Sequence, residues 1–171
     1  MKTLTPAIAA RVALIVSPAA PAAAAPTGGQ VMACTRSGHV TLSPGLTAQA
    51  ARDFTFTERG EFSNCRTPDG QVLSTKFAHP LGTGSGTCGS ATVLVPQTTL
   101  HWSNGQSSTI TAEGTTYGAL AVVTGKVLDG QFAGALLDLT AFLAPADPAS
   151  CFGGGLTETD YHGEVRFAFP S

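Results

Sequence analysis

The chain has 171 residues, 43% of them hydrophobic and 12% charged, with a formal charge of −2. That charged share is about half the usual one, and nothing in the sequence forms the basic face that nucleic acid or anionic lipid would need. No apolar run approaches the ~20 residues of a membrane-spanning helix, so Ser, Thr, Gln and Gly must supply most of the polar surface.

The chain opens with Lys2 and Arg11, passes through "VALIVSPAAPAAAA" and turns polar at "PTGGQ". This charged, apolar, small-residue order is that of a secretory signal peptide. Ala22 and Ala24 place cleavage after Ala24, which predicts a signal peptide over 1–24, a flexible N-terminal segment over 25–33 and a single β domain over 34–171. Cleavage removes two basic residues and leaves a formal charge of −4. The expected localisation is extracellular or in the cell envelope. Cys34, Cys65, Cys88 and Cys151 form an even set in an exported chain, so two disulfides are expected. No C-x-x-C occurs to favour metal binding.

Beyond residue 33, no dozen residues keep a helical period, while turn signals recur between short β-branched and aromatic runs. "CTRSGHVTL" reads as a first strand ended by "SPG", and "RDFTFTE" as a half-buried strand that alternates Phe54 and Phe56 with polar residues. "GEFSNC" continues or follows that strand after Gly60, and "PDG" turns the chain into "QVLSTKFAH". "PLGTGSGTCGS" reads as a Gly-rich connection anchored by Cys88. A phosphate cradle would need a following helix and usually a Lys, and neither is present.

"ATVLV" is a short strand ended by Pro96. "TTLHWSNGQSSTITA" is a hairpin with a two-residue Asn104-Gly105 loop, in which Trp102 faces Ser107 and Leu100 faces Thr109. The next hairpin turns at Asp129-Gly130, so that Val127 faces Phe132 and Val123 faces Leu136. Both of its faces are apolar near the middle, which predicts central strands that are covered on both sides or that switch faces at Gly125 and Gly134. "PADPASCFGGG" is a long loop carrying Cys151. In the last strand Tyr161, Val165, Phe167 and Phe169 share one face, and Glu158, Asp160, His162, Glu164 and Arg166 the other.

These elements predict an all-β fold of eight to ten strands: a two-sheet antiparallel β-sandwich of Greek-key or Ig-like type, with a closed β-barrel as the alternative. Cys34 opens the first strand and Cys65 closes the segment that returns beside it, which favours Cys34–Cys65 and leaves Cys88–Cys151.

"CTRSGHVTLSPGLT", "GTCGS", "HWSNGQSSTI", "GKVLDGQFAG" and a late "P..C" together resemble uncharacterised small secreted β-rich proteins of actinobacteria. The resemblance implies an exported β-rich architecture and no particular chemistry. In outline the chain is also similar to the enediyne-binding apoproteins of actinomycetes, which are secreted two-disulfide β-sandwiches around a small-molecule cleft. Their disulfides close short local loops, whereas the cysteines here lie 31, 23 and 63 positions apart.

Chemistry-bearing candidates are few. Glu158, Asp160 and His162 share a strand face, but successive same-face residues lie roughly 7 Å apart and converge poorly on one ion. A charged outer face on a terminal strand accounts for them. Trp102, with Asn104 and Gln106 as polar neighbours, is the candidate ligand contact, set against a packing role for the same ring. No catalytic residue, metal ligand or cofactor is assigned. The expected function is a non-enzymatic interaction module for an extracellular protein, glycan or small molecule. A carrier of an apolar small molecule is the alternative, and a secreted hydrolase comes third.

Overall fold

The computed structural model describes Gly29 and residues 31–144 and 148–169. The predicted signal peptide over 1–24 lies outside them. Eight strands follow one another: β1 (Val31–Leu46), β2 (Arg52–Arg66), β3 (Val72–Gly86), β4 (Ser90–Trp102), β5 (Ser107–Tyr117), β6 (Leu120–Gly130), β7 (Leu136–Leu143) and β8 (Leu156–Ala168). One short helix, α1 (Pro148–Phe152), interrupts the long connection before β8.

The strands form a closed antiparallel barrel in which each pairs with its chain neighbours and β8 returns to β1. The all-β class is as expected, and the architecture is the barrel rather than the sandwich. The reason lies in strand length. Signals that read as turns fall inside strands: β1 continues through Pro44 to Leu46, β2 crosses Gly60, β3 crosses the Gly-rich stretch to Gly86, and β4 crosses Pro96. Strands of 13 to 16 residues result over this first half of the chain, and a long coiled sheet of eight strands satisfies its edges by closing on itself. Among the described residues no strand pairs out of order, as a Greek key would require. β1 also begins at Val31 with Met32 fully buried, so the strand reaches into the segment expected to be flexible.

The glycines of β3 serve packing. Phe54 and Phe56 on β2 pair with Gly84 and Gly82, and a Cβ at either glycine would strike the facing phenyl ring. The stretch expected to be a loop is therefore barrel wall as far as Gly86, with two aromatic rings lying over its glycines, and only 87–89, which carry the anchoring Cys88, form the connection to β4.

Both Asn-Gly and Asp-Gly hairpins differ in register from expectation. His101 pairs with Ser107 and Leu100 with Ser108. Gly105 N donates to Trp102 O at 2.9 Å and Trp102 N to Gln106 O at 2.8 Å, which encloses a three-residue loop, Ser103 to Gly105. Gly105 sits at φ 83°, as a type I turn closed by a left-handed residue demands. In the next hairpin β6 runs on to Gly130, which pairs with Ser108 of β5, and the turn falls at 131–134. Val123 consequently pairs with Leu139, not Leu136. That odd shift sends Leu137, Leu139 and Ala141 inward and leaves Leu136 and Phe142 exposed, so these strands are covered on one face only.

Both disulfides have the expected pairing, Cys34–Cys65 and Cys88–Cys151. The barrel is apolar within and carries its exposed charges, such as Glu61, Lys76, Asp138 and Arg166, outside. This polarity is the reverse of a lipid-facing barrel, whose outer band is apolar.

Candidate functional site

The barrel interior has a filled end and a hollow one. At the filled end, Met32, Leu100, Trp102, Val127 and Phe167 are at most 3% exposed. Trp102 meets Phe132 and Phe167 edge-on, with ring centroids 5.3 and 5.9 Å away, and its indole N–H donates to Ser108 Oγ at 2.8 Å. The ring is core and has no free face for stacking. Asn104 and Gln106 sit in the adjacent exposed turn: the Asn104 amide donates to Gln131 Oε1 at 3.3 Å, and its carbonyl oxygen accepts the Gln106 N–H at 3.1 Å. These three candidate contacts thus lie at the closed base, away from the interior space.

At the opposite end, inward positions alternate large with small residues. Leu42, Leu46, Phe54 and Phe56 face Ala91, Val95 and Ala112 in a second apolar cluster, and Ala121 and Ala141 extend the small set. Short side chains on β4 to β7 leave the barrel unfilled there. The result is a cavity of about 290 Å³ with a largely apolar wall. A dry apolar cavity of ~150 Å³ holds a benzene molecule, so this one accommodates a ligand on the order of a dozen heavy atoms.

The mouth is bordered by Thr87, Cys88, Gly118, Ala119, Cys151 and Leu156. The Cys88–Cys151 bridge ties α1 to the turn between β3 and β4. Two backbone bonds add to it: Ala48 N donates to Cys151 O at 2.9 Å and Cys88 N to Thr47 O at 3.0 Å. The loop bearing Cys151 is therefore a fastened cover beside the opening.

One polar group lies in the cavity wall. Arg36 (β1), Glu58 (β2) and Tyr161 (β8) all line it, and they are 8, 4 and 5% exposed. A cross-strand row places them: Tyr161 pairs with Gly38, Gly38 with Gly60, and Gly60 with Phe77. The two glycines leave space for the phenol, and a Cβ at either would collide with its hydroxyl. Arg36 bonds Glu58. Its guanidinium carbon lies 4.5 Å from the Tyr161 ring centroid and within 6 Å of the Phe62 and Phe77 rings, which is cation–π range.

Burial works against the Arg36 cation. The Glu58 and Tyr161 oxygens outweigh it, so the arginine pKa is raised. Burial also pushes the Tyr161 hydroxyl well above its ordinary pKa, only partly offset by the Arg36 charge, and keeps it a neutral donor. That hydroxyl interacts with both Glu58 and Arg36 through side-chain hydrogen bonds as well as charge, and it and Arg36 Nε are sealed from solvent.

The outward charged face of β8 is as read from the sequence. His39 of β1 supplies what the sequence did not place there: its Nδ1 lies 2.8 Å from Asp160 Oδ1 and its Nε2 3.7 Å from Glu158 Oε2. His162 lies instead against Phe142, with ring centroids 5.9 Å apart. Among the described residues no group of three or more His, Cys, Asp or Glu is arranged to hold a metal ion.

Arg36, Glu58 and Tyr161 went unnoticed as a group in the sequence. Their signal is a charge at an inward position: Phe54, Phe56 and Glu58 share one parity, as do Cys34, Arg36 and Leu42. No protein-family model, curated protein or solved structure matches the chain.

Proposed function

We propose that this protein is a secreted carrier that holds an apolar small molecule inside its barrel. The observation that supports it most is the cavity of about 290 Å³, walled by Leu42, Phe54, Phe56, Ala112, Ala121 and Leu139. A fully packed eight-stranded barrel leaves no such space. Here the small residues fall on one side of the wall, and the leucines and phenylalanines that face them do not fill the space. Native mass spectrometry of protein purified from its own culture medium tests the reading. A retained mass of small-molecule size that is absent from Ala112→Phe, in which the added ring occupies the cavity, is the expected result. Ligand-free protein that also takes up no hydrophobic probe would overturn it.

A second reading, a surface interaction module acting on an extracellular protein or glycan, is favoured by the exposed apolar chains Val122, Leu136 and Phe142 on β6 and β7, which are 41, 50 and 53% exposed. Under that reading Ala112→Phe is without effect, and charged replacements at Leu136 and Phe142 abolish partner capture.

A further inference from the structure

The carrier reading leaves open which molecule is held and which way round it sits, and the inference here rests on that reading. We infer that the cargo is a hydrocarbon skeleton with a single polar terminus, which enters hydrocarbon end first and keeps its polar group at the mouth.

The inner wall offers a ligand no hydrogen-bonding partner. In a closed barrel the strand backbones bond to a neighbour on either side. The polar side chains of the inner wall, Arg36, Glu58 and Tyr161, bond one another and are sealed in. What remains to touch a ligand at that depth is Phe56, Ile110, Ala112 and Leu139. A hydroxyl, carbonyl or amide carried there would give up its water and gain nothing in return.

Toward the mouth the inward positions become polar. On β5 they pass from Ile110 and Ala112, both buried, to the half-buried Thr116, and on β8 from Val165 and Tyr161 to the half-buried Thr159. Thr87, just beyond β3, is a third hydroxyl at the same end. Thr116 Oγ1 accepts the Ala91 N–H at 3.1 Å, Thr87 Oγ1 accepts the Gly89 N–H at 3.2 Å, and the Thr159 hydroxyl donates to Asp160 O at 3.1 Å. A hydroxyl has one donor and two lone pairs, so each keeps capacity for a ligand group or for the water around it.

Charge does not draw the polar end inward either. Among the described residues lining the cavity, Arg36 and Glu58 are the charged ones, and they neutralise each other. An ionised group at their depth would be left without a counter-ion.

Three naphthalenes of nearly identical shape test the orientation: 2,6-dimethylnaphthalene, 6-methyl-2-naphthol and naphthalene-2,6-diol, in which the methyl groups at the two ends are exchanged in turn for hydroxyls. The full chain, extracted free of lipid with both disulfides intact, is titrated with each. The first exchange should weaken binding by less than about tenfold, and the second by at least about thirtyfold, because the second hydroxyl has to lie against the inner wall. Bound 6-methyl-2-naphthol also reports where its hydroxyl sits, since an excited naphthol in contact with water loses its proton and emits as naphtholate. That emission should persist in the complex. Equal losses for the two exchanges, or a bound 6-methyl-2-naphthol that emits only as the neutral naphthol, would place a hydroxyl against the inner wall and overturn the inference while leaving the carrier reading intact. Binding of none of the three, or equal binding to Ala112→Phe, would remove the carrier reading itself. The two-step comparison and the emission are read on the wild-type protein and decide the orientation even where Ala112→Phe does not fold.

Discussion

At the scale of single residues, the buried ion pair is the point of greatest energetic leverage. Glu58→Gln leaves the Arg36 charge without its counter-ion in a site that is only 8% exposed, and it should cost about 3–5 kcal/mol in urea denaturation. The double change Arg36→Met with Glu58→Leu should recover most of that loss, because neither charge then needs to be desolvated. A double variant as unstable as the single one would show that aromatic contacts to the guanidinium dominate. Trp102→Ala should cost about 3–5 kcal/mol by opening a hole at the filled end, with ligand affinity unchanged because the ring does not line the cavity. At the surface, Thr67 donates its hydroxyl to Asp69 at 2.5 Å, and this bond, more than the backbone and side chain of Gln71, holds the exposed Asp69 carboxyl below its ordinary pKa. A carboxyl lowered in the folded state stabilises above its unfolded pKa near 4 and loses that contribution as the pH falls through the folded value. Carboxyl chemical shifts followed through an acid titration should place Asp69 below ordinary carboxylates, and Thr67→Val should return it toward them.

At the scale of elements, the sequence was legible wherever a strand alternates cleanly and misleading wherever glycine has two uses. The β8 faces could be read directly, since Tyr161, Val165 and Phe167 point inward and the charged set outward. Asn104-Gly105 and Asp129-Gly130 were recognisable as turn chemistry, but two-residue and longer loops use the same residues. Only the hydrogen bonds of Trp102 and Val127 fix the register. Gly82 and Gly84 read as loop because their role is to receive Phe54 and Phe56 from the preceding strand, β2, a contact that no local pattern records. The helix α1 is five residues long, too short for a periodic signal, and its cysteine was the visible clue. That helix belongs to the cover of the mouth, so the two disulfides should differ in consequence. Both close long loops, and each contributes roughly 4 kcal/mol by the chain-entropy argument. Cys88→Ser with Cys151→Ser should also speed release of a bound hydrophobic fluorescent probe severalfold in stopped-flow measurements, whereas Cys34→Ser with Cys65→Ser should lower stability with little change in release. Equal release from both variants would mean that the loop bearing Cys151 does not cover the opening.

At the scale of the whole molecule, the difference between sandwich and barrel rests on one seam. Every pairing from β1 to β8 in turn joins chain neighbours, which either architecture could accommodate in part. The ladder from Val31–Ala168 to Thr41–Glu158 is what closes the cylinder. No residue along it announces a partner some 120 positions away, so closure could not be read from sequence, and neither could the convergence of Arg36 and Tyr161, which this seam alone brings together. In an open two-sheet arrangement β1 or β8 would be an edge, and every second amide along it would face solvent. In the closed barrel alternate amides of β1 bond to β2 and to β8, so none of the strand between Met32 and Thr41 is left at an edge. Native-state hydrogen exchange should therefore show consecutive amides of this stretch protected to a similar extent as those of β4 and β5. A strict alternation of slow and fast amides along β1 would place it at an edge, open the barrel, and remove the enclosed cavity from which the binding function is argued.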